Sequence, residues 1–410
     1  MMKRFCRYVE KVFDFGRNID QLKDLRRRPR IPLEAIWGSV FFLFVLRQRS
    51  LNAMEGHLRQ PHRMERLIGP KKPSADRLGQ VMSLIDPDQL RALLSGINHR
   101  LGRNKRRKNG WPFRIGALDG HEFFPSRQRC CPQCLQRRLV VKGKEVVEYF
   151  HRGVVFYLVG FRMPVPLDVE MLRPGEGELT AAQRLLPRVV KSYGRLFDLV
   201  LGDGLYFNAP FFRLCLGLGK DVITVLKDEG RVLFRDAQGV FSFTAPQVWE
   251  EGNQKIQAWD AEGFTSAEGI EVPLRVLRTE EGITRRHRRG KGWVQEKEIH
   301  HWEWVTTLPP ARLSTRLLWH IGHARWEVEN DLFHTLATYW SLDHCFRHEP
   351  TAILNFILTL FIAFVLLQSF YLGNLKPQRR AHFTFMAIAQ ELFFALALMD
   401  DPAPWLRRGG

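Results

Sequence analysis

The segment IGALDG, residues 115–120, ends a short apolar run with an acid and a glycine. The segment VLGDG, residues 200–204, repeats this arrangement later in the chain. Short apolar runs bounded by turn residues are typical of buried strands, and glycine allows a tight turn directly after the acid. The two segments therefore predict two strands that each carry a carboxylate, Asp119 and Asp203, at the edge of a sheet.

The sequence around these segments indicates an α/β sheet with helices packed on it. Four β-rich runs are predicted, at residues 113–118, 154–160, 196–202 and 222–226. Between the second and third runs, Thr180 and Gln183 fit a helix-capping box, and apolar residues with helical spacing follow them. Strands that alternate with helices in this way are characteristic of α/β folds.

The chain is strongly basic, with 62 Lys and Arg against 43 Asp and Glu and a formal net charge of +19. Such a surface attracts polyanions through phosphate contacts and release of counterions, so nucleic acid is the predicted partner. Two basic runs are candidate DNA contacts, and solvated loops are the alternative interpretation of both. Their members are Arg103, Lys105, Arg106, Arg107 and Lys108 in the first run and Arg285, Arg286, Arg288 and Arg289 in the second.

An apolar run from Ala352 to Tyr371 is nearly long enough to cross a bilayer. Asn355, Thr359 and Gln368 interrupt it, which favours a helix buried in the protein core over a membrane anchor. The sequence also begins with charged and aromatic residues rather than with the apolar core of a signal peptide. We therefore expect a cytoplasmic protein without a membrane partner, and the membrane-anchored alternative stays open.

A third carboxylate is predicted from helical spacing near the C-terminal third of the chain. Arg325, Glu329 and Phe333 recur at intervals of four, so they share one face of a predicted helix. Glu327 points to roughly the opposite side, so Glu329 is the better candidate for a metal ligand. Two-metal cleavage of a phosphodiester needs such carboxylates, because hard ions such as Mg²⁺ prefer oxygen ligands. From the residues alone, a surface ion pair between Arg325 and Glu329 is an equally good interpretation.

Five motifs follow one another along the chain: LDGHE at 118–122, YFHR at 149–152, RPGEGE at 173–178, DGLYFNAP at 203–210 and RWEVEN at 325–330. The last motif is followed by Phe333, Leu342, Asp343 and His344. In this order the motifs resemble those of bacterial insertion-sequence transposases of the DDE type. The resemblance covers most of the chain, from roughly residue 20 to residue 370.

The resemblance implies a ribonuclease H-like mixed sheet with flanking helices and a β-rich insertion. The helical pattern of the residues before about 110 predicts an N-terminal helical domain. The resemblance also implies that Asp119, Asp203 and Glu329 bind two Mg²⁺ or Mn²⁺ ions, with Arg325 in a catalytic role beside them. The implied substrate is double-stranded DNA, which a homodimer would cut at transposon ends and join to target DNA. A nuclease of the same fold without strand transfer, and a decayed DNA-binding protein that has lost catalysis, are the alternatives.

The domain organisation follows from this resemblance and from the change in composition along the chain. The predicted segments are an N-terminal helical DNA-binding domain (1–110), the first part of the catalytic domain (111–228), a β-rich insertion (229–300), the end of the catalytic domain with the last acid (301–350) and a C-terminal helical region (351–410). The insertion is predicted to be a subdomain separate from the sheet.

Two positions depart from the pattern of the related transposases. Those enzymes often carry Tyr three residues before the Arg and Lys about seven after the Glu, whereas this chain has Gly322 and Leu336. Loss of that Lys removes a contact to the phosphate at the transposon end. Either another base, such as Arg347, replaces it or this copy is impaired.

A candidate structural zinc site consists of Cys130, Cys131, Cys134 and His151. Thiolates and imidazole are the ligands that tetrahedral Zn²⁺ prefers. His121 is an alternative fourth ligand, and a cysteine-containing turn without metal is the other interpretation. Six cysteines in so long a chain do not suggest a disulfide framework, so reduced thiols are expected.

Two further clusters of metal-ligating residues are predicted to be structural. The acidic cluster contains Asp168, Glu170, Glu176 and Glu178, with Glu178 near the start of a helix, where it favours the helix dipole. His344 and His348 have helical spacing, but packing or phosphate contact is the better prediction for them.

Overall fold

A computed structural model describes residues 1–60, 64–103, 111–161, 163–289, 292–326 and 332–407. Four predicted DNA contacts, Lys105, Arg106, Arg107 and Lys108, and the predicted metal ligand Glu329 lie outside the described residues. Within the described ranges the chain forms a mixed sheet with flanking helices, so the predicted α/β class is confirmed.

The described residues before the first strand form helices. They are α1 (Met2–Phe13), α2 (Phe15–Asp20), α3 (Leu33–Val45), α4 (Leu51–Arg59), α5 (Glu65–Ile68), α6 (Ala75–Met82) and α7 (Pro87–Arg103). Ser50 and Ser74 cap α4 and α6, because their side chains accept hydrogen bonds from backbone N–H groups in the first turn. All residues of α3 except Glu34 are buried, which makes this apolar helix the centre of the N-terminal region.

Six strands with two helices between them form the first part of the sheet. They are β1 (Ile115–Ser126), β2 (Leu135–Val141), β3 (Lys144–Val159), β4 (Val165–Met171), α8 (Glu178–Tyr193), β5 (Leu199–Gly202), α9 (Ala209–Gly217) and β6 (Asp221–Val225). Five of them have the spatial order β4-β3-β1-β5-β6, in which β3 is antiparallel to β4 and β1, and β1, β5 and β6 are parallel. The sixth strand, β2, pairs with the first half of β3 in antiparallel register. This arrangement is consistent with the ribonuclease H-like fold that the motifs imply.

The strands of the predicted insertion continue this sheet instead of forming a separate subdomain. After α10 (Val232–Phe241) follow β7 (Gln247–Glu251), β8 (Gln254–Phe264), β9 (Leu274–Arg289) and β10 (Gly292–Thr306). Only residues 304–306 at the end of β10 pair with β6, in antiparallel register with residues 223–225. The sequence did not predict this continuation, because the residues that make it are few and the rest of the region is charged and rich in glycine.

The rest of the described chain is helical and closes one core with the N-terminal helices. It contains α11 (Thr315–Ala324), α12 (His334–Trp340), α13 (Pro350–Asn374), α14 (Pro377–His382) and α15 (Phe385–Ala397). The central element is α13, which packs against α1, α3, α7 and β4. A single cluster of buried apolar side chains therefore connects the helical regions with the sheet.

The helix α13 contains the apolar run that raised the question of a membrane anchor. By length and composition it could cross a membrane, but 83% of its most apolar window is buried inside the protein. The Asn355 amide donates to the carbonyl oxygens of Met82 and Ile85 at 2.8 Å, and Trp37 Nε1 donates to Thr359 Oγ1 at 3.1 Å. Asn355 and Thr359 thus bond to other parts of the helical region, as in a core helix.

Candidate active site

Asp119 and Asp203 lie at equivalent positions on adjacent strands. β1 and β5 are parallel neighbours with Ala117 opposite Leu201, and each acid follows two residues later. Residues two apart in extended chain point to the same face, and the backbone at Asp203 is still extended. Because neighbouring strands are about 4.8 Å apart, this register brings the two carboxylates together at the edge of the sheet.

Each of the two carboxylates also accepts a hydrogen bond from the backbone that follows it. Asp119 Oδ1 accepts from the N–H of Gly120 at 2.9 Å. Asp203 Oδ1 accepts from the N–H of Leu205 at 2.9 Å and so caps the short 3₁₀ turn at residues 204–206. These bonds fix the orientation of the two carboxylates.

A buried tyrosine near the two acids bonds to a third carboxylate, Glu178. The Tyr206 hydroxyl donates to Glu178 Oε1 at 2.7 Å, and Arg152 Nη2 lies 2.7 Å from Glu178 Oε2. Burial and then the negative charge of Glu178 raise the pKa of Tyr206. The charges of Asp119 and Asp203 raise this pKa further, which indicates that all three carboxylates lie in one region.

Glu178 is a neighbour of the site that the sequence alone did not reveal. It lies at the start of α8, where its favourable interaction with the helix dipole was predicted. Its carboxylate occupies the space that a Cβ on Gly120 would take, so a residue larger than glycine directly after Asp119 would displace the Glu178 side chain. The RPGEGE motif was the available signal, but nothing in it indicated contact with the IGALDG segment.

Arg325 directly follows α11 and reaches the first acid. Its Nη1 lies 3.5 Å from Asp119 Oδ2, and the residue is 5% exposed. The buried carboxylate of Glu281 on β9 anchors α11, because it accepts from Trp319 Nε1 at 2.7 Å and lies 2.8 Å from His323 Nε2. Burial acts to raise the pKa of Glu281, but these contacts, with His323 foremost, lower it overall.

The chain after residue 331 docks against β1 directly beyond Asp119. The ring of His121 stacks on Phe333 with centroids 4.6 Å apart and an interplanar angle of 28°. His121 Nε2 also lies 2.7 Å from Asp343 Oδ1. The resemblance had marked Phe333 and Asp343 as part of the last motif, and both residues contact the strand that carries the first acid.

Glu329, the predicted third acid, lies outside the described residues, as does Glu327. The residues four before and four after Glu329 are described, and both reach the same part of β1. Arg325 contacts Asp119, and Phe333 stacks on His121.

Packing accounts for the two departures from the transposase pattern. A Cβ on Gly322 would lie 2.5 Å from the indole ring of Trp304, so no side chain fits at this position. Leu336 is fully buried, where a Lys would leave its charge without solvent. Arg347, the predicted substitute for that Lys, is exposed and its Cδ lies 3.1 Å from the position of a Cβ on Gly79 of α6.

A basic residue beside the second acid was missed in the sequence. Lys227 follows β6 by two residues, is exposed, and emerges at the sheet edge where Asp203 follows β5. Its Cγ and Cδ lie 3.4 Å from the position of a Cβ on Gly204, the residue after that acid. The available signal was its position just after the predicted strand 222–226.

The second basic run lies on a two-stranded arm, here called the basic arm, formed by residues 284–289 and 292–297. These residues of β9 and β10 pair with each other beyond the last residues that pair with β8. The arm carries Arg285, Arg286, Arg288 and Arg289. Arg288 is exposed, and Trp293 beside it is 73% exposed. In the first run, Arg103 is the last residue of α7.

Three of the four predicted zinc ligands converge, together with a histidine that was assigned to packing. The cluster consists of Cys131, Cys134, His151 and His348, whose ligand atoms all lie within 4.8 Å of one another. Cys130 is exposed and does not belong to the cluster, and neither does the alternative ligand His121. Burial and then the neighbouring His348 lower the pKa of His151 to about 4.

The remaining acidic cluster is bound to arginines, in agreement with its predicted structural role. Arg184 lies 2.9 Å from Glu170 and 2.6 Å from Glu176. Arg188 lies 2.6 Å from Asp168 and 2.7 Å from Glu170. These contacts fasten α8 to β4.

Comparison with known proteins gives one family match. A family model described as a transposase DDE domain matches residues 150–366, which include Asp203, Arg325 and Glu329 but begin after Asp119. No curated protein matches the chain. Among solved structures, the NurA nuclease from Sulfolobus solfataricus is 12% identical, with a TM-score of 0.23 over 57% of this chain and 81% of that chain. A TM-score this low does not establish a common fold.

Proposed function

The chain belongs to the family of transposases with a DDE domain, and from this premise we propose that it cuts the ends of a mobile DNA element and joins them to target DNA. The observation that carries the proposal is the register of β1 and β5, which brings Asp119 and Asp203 to equivalent strand ends. Paired carboxylates suit hard divalent cations such as Mg²⁺ or Mn²⁺. Two such ions would activate the attacking oxygen and stabilise the leaving oxygen of the phosphodiester.

The third ligand in this proposal is Glu329. Support comes from its neighbours in sequence, because Arg325 lies 3.5 Å from Asp119 and Phe333 stacks on His121. Both neighbours contact the end of β1 that carries Asp119, so Glu329 would need only a short reach to the two aspartates. Glu178, which is bonded to Tyr206 and Arg152, would support the site without binding the ions.

The basic residues around the site would hold the DNA. Arg325 would orient the Asp119 carboxylate, and a guanidinium in this position also suits a phosphate of the scissile strand. Lys227 at the sheet edge would take the phosphate contact that Leu336 cannot make. The basic arm, with the charge of Arg288 and the exposed ring of Trp293, would bind the backbone of the same duplex.

The wider organisation of this proposal follows the resemblance. The N-terminal helical domain (1–110) would bind the end sequence, and segments 111–228 and 301–350 would form the catalytic domain. Two copies of the chain would act together, one on each element end, with the bacterial nucleoid in the cytoplasm as the site of action. A nuclease without strand transfer is the competing function.

A strand-transfer assay separates these two functions. Purified protein is incubated with Mg²⁺, a supercoiled target plasmid and duplexes made from the sequences that flank its gene, either intact or pre-cut to expose the 3′ hydroxyl. A transposase converts the pre-cut duplex into plasmid-joined product and cuts the intact duplex at the element end. The joined product is measured on a gel by the label on the duplex.

The control uses the same duplexes with a 3′ deoxy end, which cannot attack a phosphodiester. Joining that persists with this end would have another cause. Cutting without any joining would support the nuclease function and contradict strand transfer. Binding of the duplex without cutting or joining would instead favour the decayed DNA-binding protein.

A further inference from the structure

Four side chains from three distant parts of the chain meet outside the acidic site. Cys131 and Cys134 lie in the connection between β1 and β2, where the N–H of Cys134 donates to the carbonyl oxygen of Cys131 in a tight turn. His151 lies on β3, and His348 lies between α12 and α13. Their ligand atoms point at one another, although His348 lies far from the two cysteines in the sequence.

The distances within this cluster match the edges of a zinc tetrahedron. Zinc–sulfur bonds of about 2.3 Å and zinc–nitrogen bonds of about 2.05 Å imply separations of roughly 3.8 Å between sulfurs, 3.6 Å between sulfur and nitrogen, and 3.4 Å between nitrogens. The two Sγ atoms are 3.7 Å apart. The Nε2 atoms of His151 and His348 are 3.3 Å apart.

Three of the four sulfur–nitrogen pairs have distances close to this geometry, and the fourth lies within 4.8 Å. His151 Nε2 lies 3.4 Å from Cys131 Sγ and 3.3 Å from Cys134 Sγ, and His348 Nε2 lies 3.2 Å from Cys134 Sγ. Ordinary packing seldom directs two imidazole nitrogens and two sulfurs at one point. A shared cation with soft and borderline ligands accounts for this convergence.

We propose that the chain binds one structural Zn²⁺ ion through Cys131, Cys134, His151 and His348. Four protein ligands close the coordination shell, which is the feature of structural rather than catalytic zinc sites. The ion fastens the β1–β2 connection and β3 to the segment that leads into α13. It is distinct from the cations proposed for Asp119 and Asp203, which have oxygen ligands.

The location of the zinc site gives it a further role in holding the last motif. The segment that provides His348 also contains Asp343, which lies 2.7 Å from His121 of β1. The zinc ion and the contact between His121 and Asp343 would therefore both attach this segment to the strands β1 and β3. Together they hold the docked chain after residue 331 against the strand end that carries Asp119.

Zinc content and cobalt substitution test this proposal on the purified full-length protein. After exhaustive dialysis, about one equivalent of zinc per chain is expected by elemental mass spectrometry. Cys134→Ser and His348→Asn are expected to lower it to about one tenth or less. Cobalt added to the metal-free protein is expected to give the intense visible bands of tetrahedral thiolate coordination, and these bands are expected to be lost in both variants.

The matched controls are Cys130→Ser and His344→Asn, which remove the neighbouring thiol and imidazole outside the cluster. Both are expected to retain the full equivalent of zinc, as is Asp119→Asn. A protein without zinc and without the cobalt bands would overturn the proposal. Full zinc content in Cys134→Ser would overturn it too, as would equal losses in Cys130→Ser and Cys134→Ser. If the protein binds zinc but does not cleave DNA, the zinc proposal stands and only the transposase function is contradicted.

Discussion

Replacement of Asp119 or Asp203 by Asn is expected to reduce Mg²⁺-dependent DNA cleavage by about 10³-fold or more. An amide has nearly the shape of the carboxylate but lacks its negative charge, so it binds a hard cation weakly. Asn also keeps a carbonyl oxygen that can accept the backbone hydrogen bonds of Gly120 and Leu205. The fold should therefore persist, and the loss is measured as the rate of end cleavage at saturating DNA.

The matched control for these variants is Asp221→Asn. Asp221 begins β6, so it lies at the opposite end of the parallel strands from Asp203, and it pairs with Arg312 at 3.0 Å. We expect cleavage within a few-fold of the unmodified chain, because this acid is remote from the proposed ions. A loss in Asp221→Asn as large as that in Asp203→Asn would assign the effect to folding rather than to metal binding.

The second large effect concerns the third acid. Glu329→Gln is expected to reduce the rate of cleavage by about 10³-fold, as in the aspartate variants, while DNA binding is retained. Glu327→Gln is expected to leave the rate nearly unchanged, because on the helix predicted from the sequence a residue two positions away faces roughly the opposite side. Cleavage rates and DNA affinities of both variants are measured side by side.

The two glutamates test the assignment because they differ only in position. If Glu327→Gln were inactive and Glu329→Gln active, the helical-face argument would have selected the wrong residue. Equal activity in both variants would show that neither glutamate of this motif binds the metal ions. In that case Glu178, the buried acid bonded to Tyr206, would be the next candidate.

The acidic strand ends were predictable because their pattern is local. An apolar run, an acid and a glycine are enough to indicate Asp119 and Asp203 at the edge of a sheet. Their adjacency is a property of the pairing between β1 and β5, which depends on residues far apart in sequence. Only the resemblance to a family suggested that adjacency before the structure was known.

The cluster of cysteines and histidines shows where a local pattern is insufficient. The turn with Cys131 and Cys134 was predictable from their spacing, and His151 was one of two histidines considered as a further ligand. His348 could not be selected, because it is brought to the cysteines only by the packing of the segment before α13. Cys130 was included by proximity in sequence, yet it is exposed in the fold.

The departures at Gly322 and Leu336 also show that a local pattern cannot report on non-local packing. In the sequence the usual Tyr and Lys are absent, which leaves two interpretations, a substitute base such as Arg347 or an impaired enzyme. In the structure Trp304 occupies the space beside Gly322, and Leu336 belongs to the core. Packing of this kind depends on non-local contacts, which a motif comparison does not contain.

The most direct test of the central claim is anomalous diffraction from crystals of the protein bound to pre-cut end DNA and Mn²⁺. The account predicts two manganese peaks about 4 Å apart, with the carboxylates of Asp119, Asp203 and Glu329 as ligands. Manganese bound elsewhere, or a Glu329 side chain directed away from ions held by the two aspartates, would contradict it.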